Sequence, residues 1–221
     1  MNILAFDTSN EYCSVALVVR GETVLREALA GQGHSGILLS MVEELLASCG
    51  LAPSGLGGIA FGAGPGSFTG LRIACGVAQG LAAGLDIPVI GVSTLLAMAQ
   101  SCDADRVVSC LDARMGEIYH AAYVRESGRL VEVSAPGLYL PGDAPGLDGS
   151  GWTGCGSGFA FSDLVLRYGD ALVSIHPEIR PSAAAIAGIA KPEFEAGGGL
   201  DPALALPVYV RNRVALKESE R

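Results

Sequence analysis

Histidine is scarce in this sequence, and its cysteines are not arranged in pairs. The three histidines lie far apart, and neither an H-x-x-x-H nor an H-E-x-x-H pattern occurs. The six cysteines include no C-x-x-C pair. Cys13, Cys75 and Cys110 lie in apolar runs, where buried reduced thiols are usual. We therefore predict that the chain holds no metal site.

Charge is also low, and its balance is acidic. Charged residues make up 17% of the 221 residues, with 14 Lys and Arg against 23 Asp and Glu, which gives a net charge of −9. Because nucleic-acid phosphates need a basic face, the chain is not expected to bind nucleic acid by itself. The hydrophobic share is 50%, and 31 residues are Gly. We expect a partner to cover part of this apolar surface.

No segment has the composition of a secretion signal or of a membrane span. Met1 and Asn2 lead directly into an apolar strand, without a basic region before it. The uncharged stretch 47–71 contains Gly, Pro and Ser residues that exclude a spanning helix. We predict a cytoplasmic protein that does not contact a membrane.

A pattern of strand, polar turn and returning strand occurs twice in the chain. The first turn begins at Asp7 and the second at Asp112, 105 positions later. This repeat indicates two related lobes, which we place at residues 1–102 and 103–221. The strands are apolar, β-branched runs, predicted at residues 3–6 and 13–19 and again at residues 107–111 and 117–124.

Two predicted helices carry more apolar or small surface than one sheet needs. The helix at 35–49 is apolar over about half its circumference, whereas a surface helix needs a stripe only slightly wider than about 100°. The helix at 68–85 carries Gly76, Gly80 and Gly84 on one face, although each mid-helix Gly costs up to about 1 kcal/mol relative to Ala. Such glycines allow either close packing on the chain's own sheet or the approach of a partner helix. The predicted partner interface consists of His34, Leu38, Met41, Val42, Leu45, Ile73, Val77 and Gly80.

The most informative stretch is a glycine-rich loop at residues 61–72, F-G-A-G-P-G-S-F-T-G-L-R. A strand-to-helix turn of this kind directs backbone N–H groups outward at a helix N-terminus, which suits an anion. It is not a Walker A loop, because no Lys-Ser/Thr pair follows the glycines. It is not a dinucleotide fingerprint either, since Ser67 stands where a third Gly is needed. The sequence predicts a tight turn and leaves contact with a phosphate open.

The same loop resembles the signature of the TsaB (YeaZ) family of tRNA threonylcarbamoyladenosine biosynthesis proteins. Similar blocks occur along the whole chain, although residues 134–206 resemble the family only loosely. The resemblance implies an α/β, two-lobed actin-like (ASKHA, ribonuclease H-like) fold with duplicated mixed sheets flanked by helices. The further blocks are A-F-D-T-S from Ala5, H-S from His34, Q-G-L-A from Gln79, I-G-V-S-T-L from Ile90, L-D-A-R-M-G-E-I-Y from Leu111 and P-V-Y-V-R-N from Pro207.

The resemblance also implies a function. It implies a non-catalytic subunit of the bacterial machinery that modifies the adenosine next to the tRNA anticodon, one that binds and activates the catalytic paralogue TsaD. The ATPase TsaE would join this complex, tRNA would be reached only through it, and the subunit alone would form a homodimer. The metal-binding H-x-x-x-H of TsaD is replaced here by Thr94 and Met98, so we expect an accessory subunit rather than an enzyme by itself. No cofactor is expected, apart from ATP or ADP in a degenerate cleft. The residues of that cleft would be Asp7, Thr8, Ser9, Asp112 and Arg114.

Two other activities stay open on the residues alone. An actin-fold small-molecule kinase or ATPase would hold phosphate at Asp7 and use Asp112 as a second carboxylate. However, the glycine of the usual Asp-x-Gly-Thr motif is missing after Asp7. A peptidase would need Ser67 to act with His34, but the residues around Ser67 do not form a G-x-S-x-G elbow.

Overall fold

The computed structural model describes residues 1–211, which contain two five-stranded mixed sheets. The first sheet consists of β1 (Ile3–Asp7), β2 (Tyr12–Val19), β3 (Glu22–Leu29), β4 (Gly58–Gly64) and β5 (Val89–Ser93). Its strand order is β3-β2-β1-β4-β5. The strands β1, β2 and β3 form an antiparallel meander, whereas β4 runs parallel to β1 and β5 runs parallel to β4.

The second sheet repeats the first strand for strand. It consists of β6 (Arg106–Asp112), β7 (Ile118–Glu126), β8 (Arg129–Tyr139), β9 (Trp152–Cys155) and β10 (Leu172–His176). Its order is β10-β9-β6-β7-β8, again with an antiparallel meander and two parallel strands. Asp7 ends β1 and Asp112 ends β6, so the two predicted turns are equivalent. The predicted α/β fold with duplicated mixed sheets is confirmed.

Both faces of the first sheet are covered by helices, because its central strand is apolar on both sides. Leu4 and Phe6 point into a core formed with α1 (His34–Ser48) and α2 (Phe68–Leu85). Ile3 and Ala5 point to the opposite face, where α5 (Ala183–Glu195) packs. This alternation is the period of two expected of a strand. Every residue of β1 is buried.

The helix α5 corrects the predicted division into lobes. It lies in the second half of the sequence, yet its buried side packs on the first sheet through Ala183, Ile186 and Ala190. Residues 183–195 therefore belong with the first lobe rather than with the range 103–221. The boundary at residue 102 stays a prediction, and residues 212–221, including Asn212 of the Pro207 block, lie outside the described residues.

The helix α2 alone, among the described helices, is long and apolar enough to cross a membrane by length and composition. Core helices of globular proteins pass the same test. One side of α2 packs on the first sheet through Leu71, Ala74, Ala78 and Ala82. This packing buries one third of α2, and the rest of the helix is partly or fully exposed in the described structure.

The second lobe encloses a histidine in an apolar core. His120 lies in β7 and is fully buried, and neither ring nitrogen has a hydrogen-bond partner within residues 1–211. The ring of Tyr139 lies 5.8 Å away and that of Tyr168 6.3 Å away, measured between centroids. Tyr168 ends the short helix α4 (Ser162–Tyr168). Burial without a partner lowers the pKa of His120 to about 4.

Candidate functional site

Half of the predicted partner interface lies inside the protein. His34, Leu38, Val42 and Leu45 on α1 are at most 4% exposed, and the three apolar members pack in the core against the first sheet. In the described structure these four residues are therefore not accessible to a partner at the surface. They follow one another at helical spacing along the centre of the apolar arc, and the chain's own sheet covers that line. Met41, at the edge of the arc, stays half-buried.

The α2 part of the predicted interface lies at the surface. Ile73 and Val77 are half-buried at the edge of the core, and Gly80 is exposed. A Cβ added at Gly76, Gly80 or Gly84 would meet no atom within 4 Å. Packing on the chain's own sheet therefore does not explain these glycines, although the sequence left that alternative open.

The exposed side of α2 is bordered by other parts of the chain. Helix α1 packs along one side of it. On the other side, Gln79 Nε2 donates a hydrogen bond of 2.9 Å to the carbonyl of Ala205 in the C-terminal segment. Arg72 is the only charged residue of α2. C-terminal to Arg72, the exposed residues of α2 are uncharged; we call them the α2 glycine face, which consists of Gly76, Gly80, Ala83 and Gly84.

The turn that follows β1 packs closely against the glycine-rich loop. A Cβ at Gly62 would lie less than 3.0 Å from Oδ2 of Asp7. A Cβ at Gly70 would lie less than 3.0 Å from the backbone carbonyl oxygen of Thr8. The hydroxyl of Thr8 also donates a hydrogen bond of 2.6 Å to the carbonyl of Gly70. The glycines of the loop are therefore needed for close packing between two parts of the same lobe.

The same contact uses the backbone group that could have met an anion. The N–H of Ser67, just before α2, donates a hydrogen bond of 2.8 Å to the carbonyl of Ser9. A Cβ at Gly66 would lie 2.7 Å from Ser9. The N-terminus of α2 thus faces the turn that follows β1. The sequence had left open whether a phosphate would bind at this N-terminus.

Asp7 lies at the centre of this contact and is fully buried. Its Oδ1 accepts hydrogen bonds from the backbone N–H of Ser9 at 3.0 Å, the Ser9 hydroxyl at 2.8 Å and Asn10 Nδ2 at 3.2 Å. Its Oδ2 has no partner in the described part of the chain. Burial raises the pKa of Asp7 from 3.8 to about 6, although the Ser9 hydrogen bonds oppose the shift. Asp7, Thr8 and Ser9, predicted as cleft residues, are therefore closed to a ligand in this structure.

The other two predicted cleft residues form the tip of the equivalent hairpin in the second lobe. Asp112 Oδ1 accepts a hydrogen bond of 2.7 Å from the backbone N–H of Arg114. The Arg114 guanidinium is exposed and lies 3.7 Å from the same carboxylate. Within residues 1–211, no hydrogen bond or ion pair joins this tip to Asp7.

A small cavity lies where the two lobes meet. It is bordered by the glycine loop at Pro65 and Gly66, by Tyr119 of the second lobe, and by residues 208–211 of the C-terminal segment. Its volume is about 60 Å³, whereas sites for cofactors and drug-sized ligands enclose roughly 300–1,000 Å³. None of the five predicted cleft residues lines it. The segment 208–211 belongs to a block that resembles the TsaB family, but no sequence pattern placed it at this junction.

Comparison with known proteins places this architecture in a family. Residues 24–152 match the family model described as TsaD, tRNA N6-adenosine threonylcarbamoyltransferase. The tRNA threonylcarbamoyladenosine biosynthesis protein TsaB of Escherichia coli (strain K12) is 38% identical over an alignment of 234 residues, gaps included. The alignment covers 99% of this chain and 98% of that protein. The chain belongs to the TsaB family. Its role therefore lies in tRNA threonylcarbamoyladenosine biosynthesis.

Solved structures of TsaB relatives share the whole fold. YeaZ from Pseudomonas aeruginosa has 36% sequence identity and a TM-score of 0.87, covering 94% of this chain and 99% of that one. A protein described as uncharacterized, with similarity to peptidase YEAZ from Pseudomonas aeruginosa, has 36% identity and a TM-score of 0.88, covering 95% and 99% of the two chains. The TsaB fold of this chain is actin-like, as the family resemblance implies.

Thr94 and Met98, which the family resemblance was expected to place where TsaD has H-x-x-x-H, have packing roles in this TsaB chain. Thr94, the first residue of α3 (Thr94–Gln100), donates a hydrogen bond of 2.5 Å to the carbonyl of Pro65. Met98 is fully buried in the core shared by α3 and the second sheet. Across residues 1–211, no three His, Cys, Asp or Glu side chains lie together in a way that could hold a metal ion.

Ser67, the candidate peptidase nucleophile, caps a helix in this TsaB chain. Its hydroxyl accepts a hydrogen bond of 3.3 Å from the backbone N–H of Gly70, in the first turn of α2. In the described residues, no hydrogen bond joins Ser67 to a histidine. His34 lies buried at the start of α1.

A Ser67→Ala variant should lose about 1 kcal/mol of unfolding free energy, because it removes the side-chain cap of α2. Urea unfolding followed by circular dichroism measures the change. Ser40→Ala, on the exposed side of α1, is the matched control and should not lose stability. If Ser67→Ala unfolds like the wild type, the hydroxyl does not act as a cap.

Proposed function

We propose that this TsaB-family chain is a non-catalytic subunit that binds and activates its paralogue TsaD. TsaD would dock on the α2 glycine face and on the adjoining residues Met41, Ile73 and Val77. The ATPase TsaE would then join the complex, and tRNA would be bound through the complex. The chain alone would pair with a second copy through the same face, because a self-complementary helix pair closes with two-fold symmetry.

The single observation that carries this proposal is the open space outside Gly76, Gly80 and Gly84. Three exposed glycines in one helix cost roughly 2–3 kcal/mol relative to Ala, and no contact within the described chain offsets that cost. Bare backbone at this spacing lets a second helix approach closely, as small residues do at helix–helix interfaces. The half-buried Ile73 and Val77 at the edge of the face would be covered by the same partner.

Two features support an accessory role over a kinase or ATPase. The Asp7 turn, which would hold phosphate in such an enzyme, is buried under the glycine loop. The net charge of −9 disfavours direct binding of tRNA phosphates. A subunit that acts through a more basic partner fits both features.

The test introduces a charge on the α2 glycine face without disturbing the fold. Gly80→Glu should reduce binding to TsaD from the same organism at least tenfold, because a carboxylate would be buried at a close helix contact. Gly188→Glu is the matched control, since Gly188 is also an exposed helical glycine, on α5, with no atom within 4 Å of an added Cβ. Size exclusion with light scattering measures the complex. Leu38→Glu is unsuitable, because Leu38 is buried.

The outcomes distinguish two claims, that TsaD is the partner and that it binds the α2 glycine face. Loss of the complex with Gly80→Glu but not with Gly188→Glu would support the proposed face. A complex that forms equally well with both variants would exclude this face. A wild-type chain that does not bind TsaD would overturn the partner role itself.

A further inference from the structure

The C-terminal segment runs across both lobes after its last helical turn. From the 3-10 turn Pro202–Leu204 it passes along α2, past the end of β4, and on to the tip of the β6–β7 hairpin. We define residues 205–211 as the strap. It has no regular secondary structure, so its position depends on the contacts it makes with each lobe.

On the first lobe, hydrogen bonds to backbone groups of the strap hold it in place. The carbonyl of Ala205 accepts from Gln79 Nε2 at 2.9 Å and from Cys75 Sγ at 3.4 Å. The N–H of Val208 donates to the carbonyl of Ala63, at the end of β4, at 2.7 Å. A Cβ at Gly64 would lie 2.6 Å from the Val208 carbonyl oxygen, so the close approach of the strap needs this glycine.

An arginine and two aromatic rings fix the middle of the strap. The Arg72 guanidinium lies 3.8 Å from the ring centroid of Phe68, in the cation–π range, and 5.9 Å from that of Tyr209. Arg72 Nε also donates a hydrogen bond of 2.9 Å to the Tyr209 hydroxyl. The rings of Phe68 and Tyr209 are themselves 5.4 Å apart. Both Phe68 and Arg72 lie in the first two turns of α2, so this cluster ties the strap to the first lobe.

On the second lobe, Arg211 binds the tip of the hairpin. Its guanidinium lies 2.6 Å from the Glu117 carboxylate and donates to the Ala113 carbonyl at 3.0 Å. It also contacts Met115 Sδ at 3.2 Å. The side chain of Arg211 is 14% exposed. Residues 114–116 of this tip all have left-handed φ angles of 58–74°. Residues other than Gly adopt this conformation only where the surrounding structure supports it, and Arg211 supplies contacts of that kind.

The described lobes are otherwise joined mainly through α3. This helix packs against β4 and α5 of the first lobe and against β6, β7 and β8 of the second. The chain passes from the first lobe to the second directly after it, at residues 101–105, and returns to the first lobe between β10 and α5, at residues 177–182. The strap is a further connection, at a different place, between α2 and the hairpin tip. A connection at this separate place restricts a rotation that the two chain crossings and α3 would allow.

We propose that the strap fixes the angle between the two lobes and closes the cleft between them. Arg72 and Tyr209 anchor it on the first lobe, and Arg211 with Glu117 anchors it on the second. The cavity under it is about 60 Å³, so any ligand of nucleotide size would enter only after the strap is released. This proposal concerns the free chain and does not depend on a partner.

The test measures the distance between the lobes when the second anchor is removed. Spin labels on non-natural residues would replace Glu22 on β3 and Leu166 on α4, both exposed, in protein diluted with unlabelled chains. The wild type should give one narrow distance distribution by double electron–electron resonance. Arg211→Ala should give a broad or second distribution. Hydrogen exchange at the Val208 amide should also become at least tenfold faster.

Arg167→Ala is the matched control. Arg167 donates a hydrogen bond of 2.9 Å to the Ala144 carbonyl within the second lobe, so its loss should leave the distance distribution narrow. If Arg211→Ala does not fold, Glu117→Gln removes the same ion pair from the other side and should broaden the distribution. A narrow, wild-type distribution in the folded Arg211→Ala or Glu117→Gln variant would overturn the proposal.

Discussion

A Gly70→Ala variant should lose about 3 kcal/mol of unfolding free energy, at the upper end of the usual cost of overpacking. The same substitution at Gly80 should stabilise the chain by up to about 1 kcal/mol, because Ala is the better helix former. Both residues are glycines of α2, ten positions apart. One methyl group is expected to have opposite effects at two positions of one helix.

The difference comes from what lies outside each glycine. At Gly70, the added Cβ would lie less than 3.0 Å from the backbone carbonyl oxygen of Thr8. Backbone cannot turn aside as a flexible side chain does, so either α2 or the turn after β1 must move. That movement would also disturb the hydrogen bond from Thr8 to the Gly70 carbonyl. At Gly80 no atom lies within 4 Å of the added Cβ.

Urea unfolding of the wild type and of both variants measures the two effects on one scale. Gly84→Ala, with equally open surroundings, should behave like Gly80→Ala. Equal stability changes for Gly70→Ala and Gly80→Ala would contradict the close packing of the turn after β1 against α2.

The first lobe could largely be predicted from the sequence, because its signals are local. The strands around Asp7 are largely apolar runs, and the helix predicted at 68–85 has the bounds Phe68–Leu85 in the structure. The second lobe gives weaker signals. Pro136 and Gly137 suggest a loop, yet both lie inside β8. A strand tolerates them there because β8 is an edge strand of the second sheet.

The candidate site was predicted less well, for two physical reasons. On α1, the apolar arc marks Leu38 and Leu45 strongly, but periodicity does not show whether a sheet or a partner covers them. The return of α5 to the first sheet and the crossing of the strap join residues far apart in the sequence, such as Arg72 with Tyr209. Such contacts leave no periodic signal. The glycines of α2 were located correctly, but only the structure separates Gly70, which is packed, from Gly80, which is open.

The second large effect concerns two buried groups whose pH dependences oppose each other. Burial raises the pKa of Asp7 from 3.8 to about 6. Between these values the folded protein binds a proton that the unfolded chain does not, so stability increases as the pH falls from about 6 to 3.8. At neutral pH the ionised Asp7 then costs roughly 3 kcal/mol of stability.

His120 has the opposite effect over nearly the same range. Burial lowers its pKa from 6.5 to about 4. Between these values the unfolded chain binds a proton that the folded protein does not, so stability decreases as the pH falls from 6.5 to about 4. The loss is also roughly 3 kcal/mol. In the wild type the two contributions should nearly cancel between pH 6 and pH 4.

Each single variant should expose the contribution of the other group. Asp7→Asn should lose roughly 3 kcal/mol more than the wild type between pH 6 and pH 4, because the His120 contribution is no longer opposed. His120→Leu should gain roughly 3 kcal/mol relative to the wild type over the same range. Other carboxylates contribute equally to all the proteins, so the comparison is made between variants.

Urea unfolding at several pH values between 4 and 7 measures these slopes. The double variant Asp7→Asn/His120→Leu should return to a profile close to that of the wild type, since both groups are removed together. The two residues lie in different lobes, so their effects on the free energy of unfolding should add. A single variant whose profile is parallel to that of the wild type would contradict the buried, shifted state of the residue it replaces. A buried carboxylate and a buried imidazole each lack a hydrogen-bond partner for at least one polar atom in the described residues. Agreement of all four profiles with these slopes would show that their opposite effects on the pH dependence of stability cancel in this fold.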